Sequence, residues 1–399
     1  SRDIIYLMTE LLIAPEKDDI KENGCTKTAY DMAMGTSQML GCLTERLTDI
    51  SEDADLTCFG EEFNPETYAI AKADMLIKGG NASGMMYGDT LNDDKFSGYE
   101  FDYIISNPPF GIDWKREKAE VEAEAKKGYD GRFGPGLPAI SDGQMLFMLN
   151  GVKKLKEGSG CMAIIQNGSS LFTGDAGSGA SEIRRYVITE DMVEAIIQMP
   201  TDLFYNTGIS TYIWVLTKGK PAHRLGKVQL IDASKCFVKR RKNIGNKRVD
   251  LNDKCIELIM KAYMEFENEV YTDGELVVES KTFDNDFFGF TKVTVETAQA
   301  DENGKAILKK GKPQAVKGAS DSEIIPLSED IDEYIAKNVL PYNPLAFADR
   351  KKDKVGYEIP FTRLFYKFTA PQSSEDIFAD IKALEEEETT LMKELFGNA

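Results

Sequence analysis

Long apolar runs are missing from this chain, as are histidine-rich and paired-cysteine motifs. No uninterrupted hydrophobic stretch approaches the roughly 18 residues of a bilayer-spanning helix, so no helical membrane span is expected. A single histidine, His223, cannot anchor a histidine-rich metal cluster. The six cysteines (Cys25, Cys42, Cys58, Cys161, Cys236 and Cys255) lie far apart with no C-x-x-C pair. That excludes a disulfide-stapled fold and fits reduced thiols in a soluble, cytoplasmic protein. No G-x-x-x-x-G-K-S/T occurs, so Gly174, Gly177 and Gly179 form no phosphate loop and ATP-driven translocation is excluded. Val278-Glu279-Ser280-Lys281 contains the E-x-K of metal-dependent nucleases, but no suitably spaced upstream acid accompanies it; no metal is expected. An initiator methionine and a signal peptide are also lacking, and the opening Ser1-Arg2-Asp3-Ile4 reads as the start of a fragment.

What is present suffices for a large core. The 399 residues are 42% hydrophobic and 10% aromatic, enough for a doubly wound domain plus a smaller accessory region. The 48 basic and 67 acidic residues give a net charge of −19, which would repel a phosphate backbone if spread evenly. Against that background Lys235, Lys239, Arg240, Arg241, Lys242, Lys247 and Arg248 crowd into fourteen residues. Composition leaves two readings of this cluster open, a nucleic-acid contact and an ordinary solvated loop.

Apolar spacing predicts a helix at the start (Ile4, Ile5, Leu7, Met8, Leu11, Leu12), a strand over 28–33, a helix through Met39, Leu43 and Leu47, a strand over 56–60 and a helix from Pro65 to Ile77. Further strands are predicted at 85–87, 103–105, 162–165, 193–197 and 212–216, with a helix over 145–155. This βαβα alternation predicts a doubly wound, mostly parallel α/β sheet, in which ligands bind beyond the carboxyl ends of the strands. Past about residue 220 the rhythm fades. Residues 228–231, a helix over 252–268 and possible hairpin strands at 275–279 and 293–295 are read as accessory structure, and 297–320 as an exposed loop or linker. Ile377, Ile381, Leu384, Leu391 and Leu395 predict a C-terminal amphipathic helix with Glu385–Glu388 on its solvated face. The expected division is 1–220 catalytic, 221–370 accessory and 371–399 docking helix.

The most informative residues are Asn107-Pro108-Pro109-Phe110, directly behind the strand at 103–105. Two prolines remove two backbone donors and stop the strand, leaving a corner rich in acceptors. The side-chain oxygen of Asn107 and the carbonyl of Pro108 can accept both hydrogens of an exocyclic amine while Phe110 stacks on a flat heterocycle. Such a corner suits the N6 amine of adenine, a poor nucleophile that hydrogen bonds draw toward tetrahedral geometry; Pro109 keeps the turn rigid. Asp31-Met32-Ala33-Met34-Gly35-Thr36-Ser37 closes the first strand and opens a helix, where backbone N–H groups can receive part of a cofactor. Glu62, just past the second strand, is placed to accept from ribose hydroxyls, with Glu61 facing solvent. The glycine- and proline-containing loop at 112–140 hangs off the catalytic corner as either a lid or plain disorder.

Asn-Pro-Pro-Phe resembles the signature of the amino-methyltransferases that use S-adenosylmethionine. More narrowly, the chain is similar to the modification (M) subunits of type I restriction-modification systems, which are DNA adenine-N6 methyltransferases. Gly60-Glu61-Glu62-Phe63-Asn64-Pro65-Glu66-Thr67, Gly88-Asp89-Thr90-Leu91, Arg132-Phe133-Gly134-Pro135-Gly136-Leu137-Pro138 and the run from Met199-Pro200-Thr201-Asp202-Leu203-Phe204 to Thr211 support it in order, over about residues 1–270. The resemblance implies a Rossmann-like, seven-stranded methyltransferase sheet followed by an accessory region and a terminal helix. It implies catalytic roles for Asn107, Pro108, Pro109 and Phe110, and S-adenosylmethionine contacts from Arg2, Asp31, Gly35, Thr36, Ser37, Glu62, Asp89 and Thr90, Asp89 accepting from the adenine amine of the cofactor. Arg2 stands at the end of a Thr-Pro-Arg-like motif. Met32 replaces the family's usual proline, and Ser37 and Gln38 stand where a second small residue is usual. Double-stranded DNA, a specificity subunit, a second modification subunit and a translocating restriction subunit are the implied partners, with the C-terminal helix as a docking element. A methyltransferase for another planar amine or amide, and a scaffold with a decayed cofactor loop, are the rival readings.

Overall fold

The computed structural model describes residues 2–368 and 372–397, which form two compact units, Ser1–Phe361 and Thr362–Ala399. Ser1 and residues 369–371, 398 and 399 of the expected divisions lie outside the described residues.

The larger unit is built on a ten-stranded sheet. Its strands are β1 (Cys25–Asp31), β2 (Ala54–Glu62), β3 (Met85–Tyr87), β4 (Tyr103–Ser106), β5 (Cys161–Asn167), β6 (Val193–Gln198), β7 (Thr211–Thr217) and β8 (Lys227–Lys235). After a separate hairpin of β9 (Val238–Ile244) and β10 (Lys247–Asp250), β11 (Glu269–Asp273) and β12 (Leu276–Asp284) complete it. The order across the sheet is β11-β12-β8-β6-β7-β5-β4-β1-β2-β3. β3, β2, β1, β4 and β5 run parallel, while β7 is antiparallel to both its neighbours. All of β4 and β7, and six of the seven residues of β5, are buried. Continuous apolar runs are what strands covered on both faces require, which explains why these segments do not alternate.

Two expectations need correction. The sheet has ten strands rather than seven, and it continues past residue 220: 228–231 forms the buried centre of β8, which pairs parallel with β6. The segment at 275–279 opens β12, which pairs with β11 and β8 and not with 293–295. The helix Asp253–Glu265 makes these additions stable by covering them with Leu258, Ile259, Ala262 and Tyr263. Its buried residues recur at spacings of three and four, the stripe a sheet-covering helix needs.

A second sheet centres on β13 (Gly289–Ala298), flanked by β16 (Ala315–Pro326) on one side and by β17 (Ala346–Ala348) and β18 (Lys354–Tyr357) on the other. The ends of the expected linker at 297–320 belong to β13 and β16, and between them β14 (Leu308–Lys309) and β15 (Lys312–Pro313) form a small exposed hairpin. Arg184, fully buried, holds this sheet to the first. Its Nε donates to the Tyr357 carbonyl (2.6 Å), and its two Nη atoms donate to the carbonyls of Ser170 (3.1 Å) and Thr173 (2.9 Å). With carbonyl oxygens as these acceptors, burial pushes its pKa down to about 10.

In the smaller unit the helix Ser374–Phe396 begins at an N-cap, where Ser373 Oγ accepts from Asp376 N at 3.1 Å. Ile377, Ile381, Leu384, Leu391 and Leu395 are all exposed along it, as are Glu385–Glu388.

Candidate active site

The chain order of the sheet reverses at β1, which has β2 on one side and β4 on the other. A cavity of about 720 Å³ opens there, beyond the carboxyl ends of the strands. Met32 and Ala33 follow β1, Glu62 ends β2 and Phe63 follows it, Gly88, Asp89 and Thr90 follow β3, and Asn107 to Gly111 follow β4; all line it. This is the crevice that a doubly wound topology leaves open, because the connections from neighbouring strands leave in opposite directions.

Asn107, Pro108, Pro109 and Phe110 are therefore brought together with Glu62, Asp89 and Thr90. Arg2, Asp31, Gly35, Thr36 and Ser37 are not among the lining residues; Arg2 and Thr36 are exposed, Gly35 is partly exposed, and Asp31 and Ser37 are buried. Asp31 is 1% exposed, and its Oδ1 accepts from Ser106 Oγ (2.7 Å) and Ala33 N (3.1 Å). Burial pushes its carboxyl up to about 7, with the charge of Glu62 acting in the same direction. Since Ser106 directly precedes Asn107, Asp31 braces the end of β1 against the Asn-Pro-Pro-Phe corner. Gly35 N donates to Glu62 Oε2 (2.9 Å) and Asn64 N to Glu62 Oε1 (2.7 Å), so two backbone amides fix that carboxylate at the cavity edge. Ser37 holds a left-handed conformation at φ +63° where the chain turns into the helix Gln38–Ile50, a geometry that favours glycine.

Glu61 corrects the expectation of a solvent-facing neighbour, because it is fully buried. Successive side chains on β2 point to opposite faces, so Glu61 turns under the sheet when Glu62 faces the cavity. It accepts a short hydrogen bond from Tyr30 Oη, and its Oε1 accepts from Lys95 N at 2.9 Å. Burial raises its pKa despite these bonds. Thr90 Oγ1 donates to the Met32 carbonyl (2.6 Å), tying the end of β1 to the segment after β3.

The loop at 112–140 is structured, which overturns its reading as plain disorder. It contains the helix Lys118–Ala125, and Trp114 is buried with Nε1 donating to Ala139 O at 3.1 Å. Arg132 locks it to the site. Its Nη2 and Nε hold Glu124 (2.7 and 2.9 Å), while Nη1 donates to Thr90 O (2.6 Å) and Asn150 Oδ1 (3.0 Å). Glu117 of the same segment lies against Asp89; burial first, and then the Asp89 charge, raise its pKa.

Sequence reasoning did not single out several wall residues as functional. Phe204, Asn206, Thr207 and Ile209 line the cavity from the loop between β6 and β7. The Met199-to-Thr211 segment was a signal for them. Asn167 closes β5, where Gln144 Nε2 donates to its Oδ1 (2.8 Å) and Asn167 N donates back to Gln144 Oε1 (3.0 Å). Phe147 belongs to the helix Gln144–Lys153, where an aromatic residue reads as ordinary core.

Comparisons with known proteins agree with this geometry. The N-6 DNA Methylase family model matches residues 2–303. The type I restriction enzyme MjaIX methylase subunit of Methanocaldococcus jannaschii is 28% identical over 250 residues, covering 60% of this chain and 41% of the relative. The HindI methylase subunit of Haemophilus influenzae is 29% identical over 210 residues, covering 51% and 44%. The chain thus aligns with less than half the length of these relatives. The crystal structure of the type I restriction-modification methyltransferase subunit from Streptococcus thermophilus superposes with a TM-score of 0.59 at 25% identity, covering 72% of this chain and 56% of that one. With the matched region spanning the β1-to-β12 sheet and its cavity, the chain belongs to the N-6 DNA methylase family.

Proposed function

We propose that this chain forms the catalytic part of a DNA adenine-N6 methyltransferase subunit of a type I restriction-modification complex. One observation carries the reading: the Asn107-to-Phe110 corner and the carboxylates of Glu62 and Asp89 open onto a single cavity at the carboxyl ends of β2 to β4. Its volume lies within the range of small-molecule sites. The donor set fits S-adenosylmethionine: Glu62 is held by two amides at the end of β2 to accept from ribose hydroxyls, and Asp89 accepts from the cofactor's adenine amine. Bound there, the cofactor supplies a methyl group on sulfonium, an already activated leaving group. The protein's own work is positional and electrostatic. A target base lies inside the duplex, so it must flip out to enter the cavity. Phe110 then offers its ring for stacking, and Asn107 Oδ1 and the Pro108 carbonyl accept the N6 hydrogens, stabilising positive charge as it develops on nitrogen. Asp31 and Ser106 hold this corner from behind, and Arg132 of the 112–140 segment holds the Thr90 carbonyl at the cavity wall.

The proposal extends to partners. The exposed apolar stripe of the helix Ser374–Phe396 fits docking on a helical specificity subunit, beside a second modification subunit and a translocating restriction subunit, in the cytoplasm. The deciding experiment is calorimetric titration of the chain with S-adenosylmethionine and S-adenosylhomocysteine. Saturable binding that Glu62→Ala weakens at least tenfold is the expected result. Absence of binding to wild type would sink the catalytic reading and favour a scaffold.

A further inference from the structure

The structure divides the basic cluster at 235–248 in two. Lys247 is 1% exposed, and its Nζ is held by Asp3 (2.9 Å), Asp250 (3.1 Å) and the Leu203 carbonyl (3.1 Å). Arg240 is half-buried and pairs with Asp250 at 2.5 Å. These two cations serve the fold. Lys239, Arg241, Lys242 and Arg248 are exposed on the β9–β10 hairpin, and among the described residues no carboxylate pairs with them. A chain of net charge −19 therefore presents a concentrated positive surface here.

The place of the hairpin gives the charge a direction. Arg248 N donates to Asp202 O (2.9 Å) and Asn246 N donates to Tyr205 O (2.9 Å), so β10 and the hairpin tip are laced to the loop whose next residues, Phe204, Asn206 and Thr207, line the cavity. Gly245 sits at φ +58° so close to the Tyr205 carbonyl that a β-carbon would collide with it. The hairpin is thus fixed to the rim of the cavity by backbone bonds. Exposed Ile244 and Tyr205 stand beside the cations.

We infer that the β9–β10 hairpin is a phosphate grip for duplex DNA, holding the backbone next to the nucleotide that enters the cavity. This rests on the methyltransferase reading and adds to it the surface that carries the substrate. Phosphates of one strand are regularly spaced polyanionic groups, and several exposed cations on a two-stranded ribbon match them without reading sequence. A base can be extruded only if its neighbours are held, which calls for such a grip within reach of the cavity rim.

The test uses the full chain, a duplex of arbitrary sequence and a salt series. Wild type is expected to bind at low salt. The variant Lys239→Gln, Arg241→Gln, Lys242→Gln should flatten the slope of log K against log salt by about 0.9 for each charge removed, and Arg248→Gln alone by about 0.9. A control with the same charge change on the β14–β15 hairpin, Lys309→Gln, Lys310→Gln, Lys312→Gln, should leave the slope unchanged. Equal effects of the two triple variants, no effect of the β9–β10 variants, or no duplex binding by wild type would each overturn the inference. S-adenosylmethionine titration of the same proteins separates the two claims: it is expected to be unaltered in every variant, and its failure in wild type would count against the methyltransferase reading instead.

Discussion

At the scale of single residues, the site depends on groups whose roles follow from burial and bonding. In the proposed reaction Asn107, which lines the cavity, supplies an acceptor that matters most as charge develops on the amine. Asn107→Ala should lower methylation by about 10²–10³-fold while cofactor affinity stays within a few fold, measured by single-turnover methylation and calorimetry. Asp31 makes a pH prediction. Its folded carboxyl is raised to about 7 from an ordinary value of 3.8, so the folded state binds the proton more tightly than the unfolded chain does. Stability from this group therefore declines as pH rises from about 4 to 7 and stays low above that. Asp31→Asn keeps an oxygen for Ser106 and Ala33 but cannot ionise. Urea unfolding should find the variant more stable than wild type at about pH 8, by on the order of 2–4 kcal/mol. The gap should close as pH approaches about 4. A gap that stays constant with pH would mean that Asp31 does not carry a raised pKa.

At the scale of elements, the segment at 112–140 depends on one guanidinium. Arg132 satisfies Glu124 and the Thr90 carbonyl from a position 7% exposed, so truncating it leaves a partly buried carboxylate and a carbonyl without their donor. Arg132→Met should cost about 3–5 kcal/mol, and Arg132→Lys should recover little because an ammonium cannot span the same fork. Limited proteolysis should cut within 112–140 in both variants before the rest of the chain opens. What the sequence discloses of such features depends on how local their causes are. The corner after β4 is legible because an apolar strand and two prolines are adjacent in the chain, and Glu62 and Asp89 because each stands at or just beyond the carboxyl end of a strand. Glu61 was misread because its fate rests on Tyr30, thirty-one positions away, and on the pleat of β2. The order in the 112–140 loop was hidden for the same reason, since Arg132 reaches Thr90 forty-two positions back. β8 and β12 looked like accessory pieces because nothing in either run announces that a covering helix, Asp253–Glu265, will bury them.

For the whole molecule, the question is how the proposed role in a DNA-modifying assembly fits a strongly acidic chain. The inferred phosphate grip of the β9–β10 hairpin answers part of it, and the proposed partners answer the rest. The helix Ser374–Phe396 bears Ile377, Ile381, Leu384, Leu391 and Leu395 at 45–74% exposure, an apolar stripe of the kind that helix pairing buries. A stripe left in water costs roughly 25 cal/mol for each Å² that a partner would cover, so association has a clear driving force. Placing a carboxylate at its centre removes that force without touching the cavity, which lies wholly within the Ser1–Phe361 unit. Leu384→Glu combined with Leu391→Glu should therefore leave S-adenosylmethionine binding unchanged and abolish co-purification with the co-expressed specificity subunit. Methylation of a target duplex by the reconstituted mixture should fall in parallel. Retained assembly by the double variant would move the docking site off this helix and leave its exposed leucines without a role in the complex.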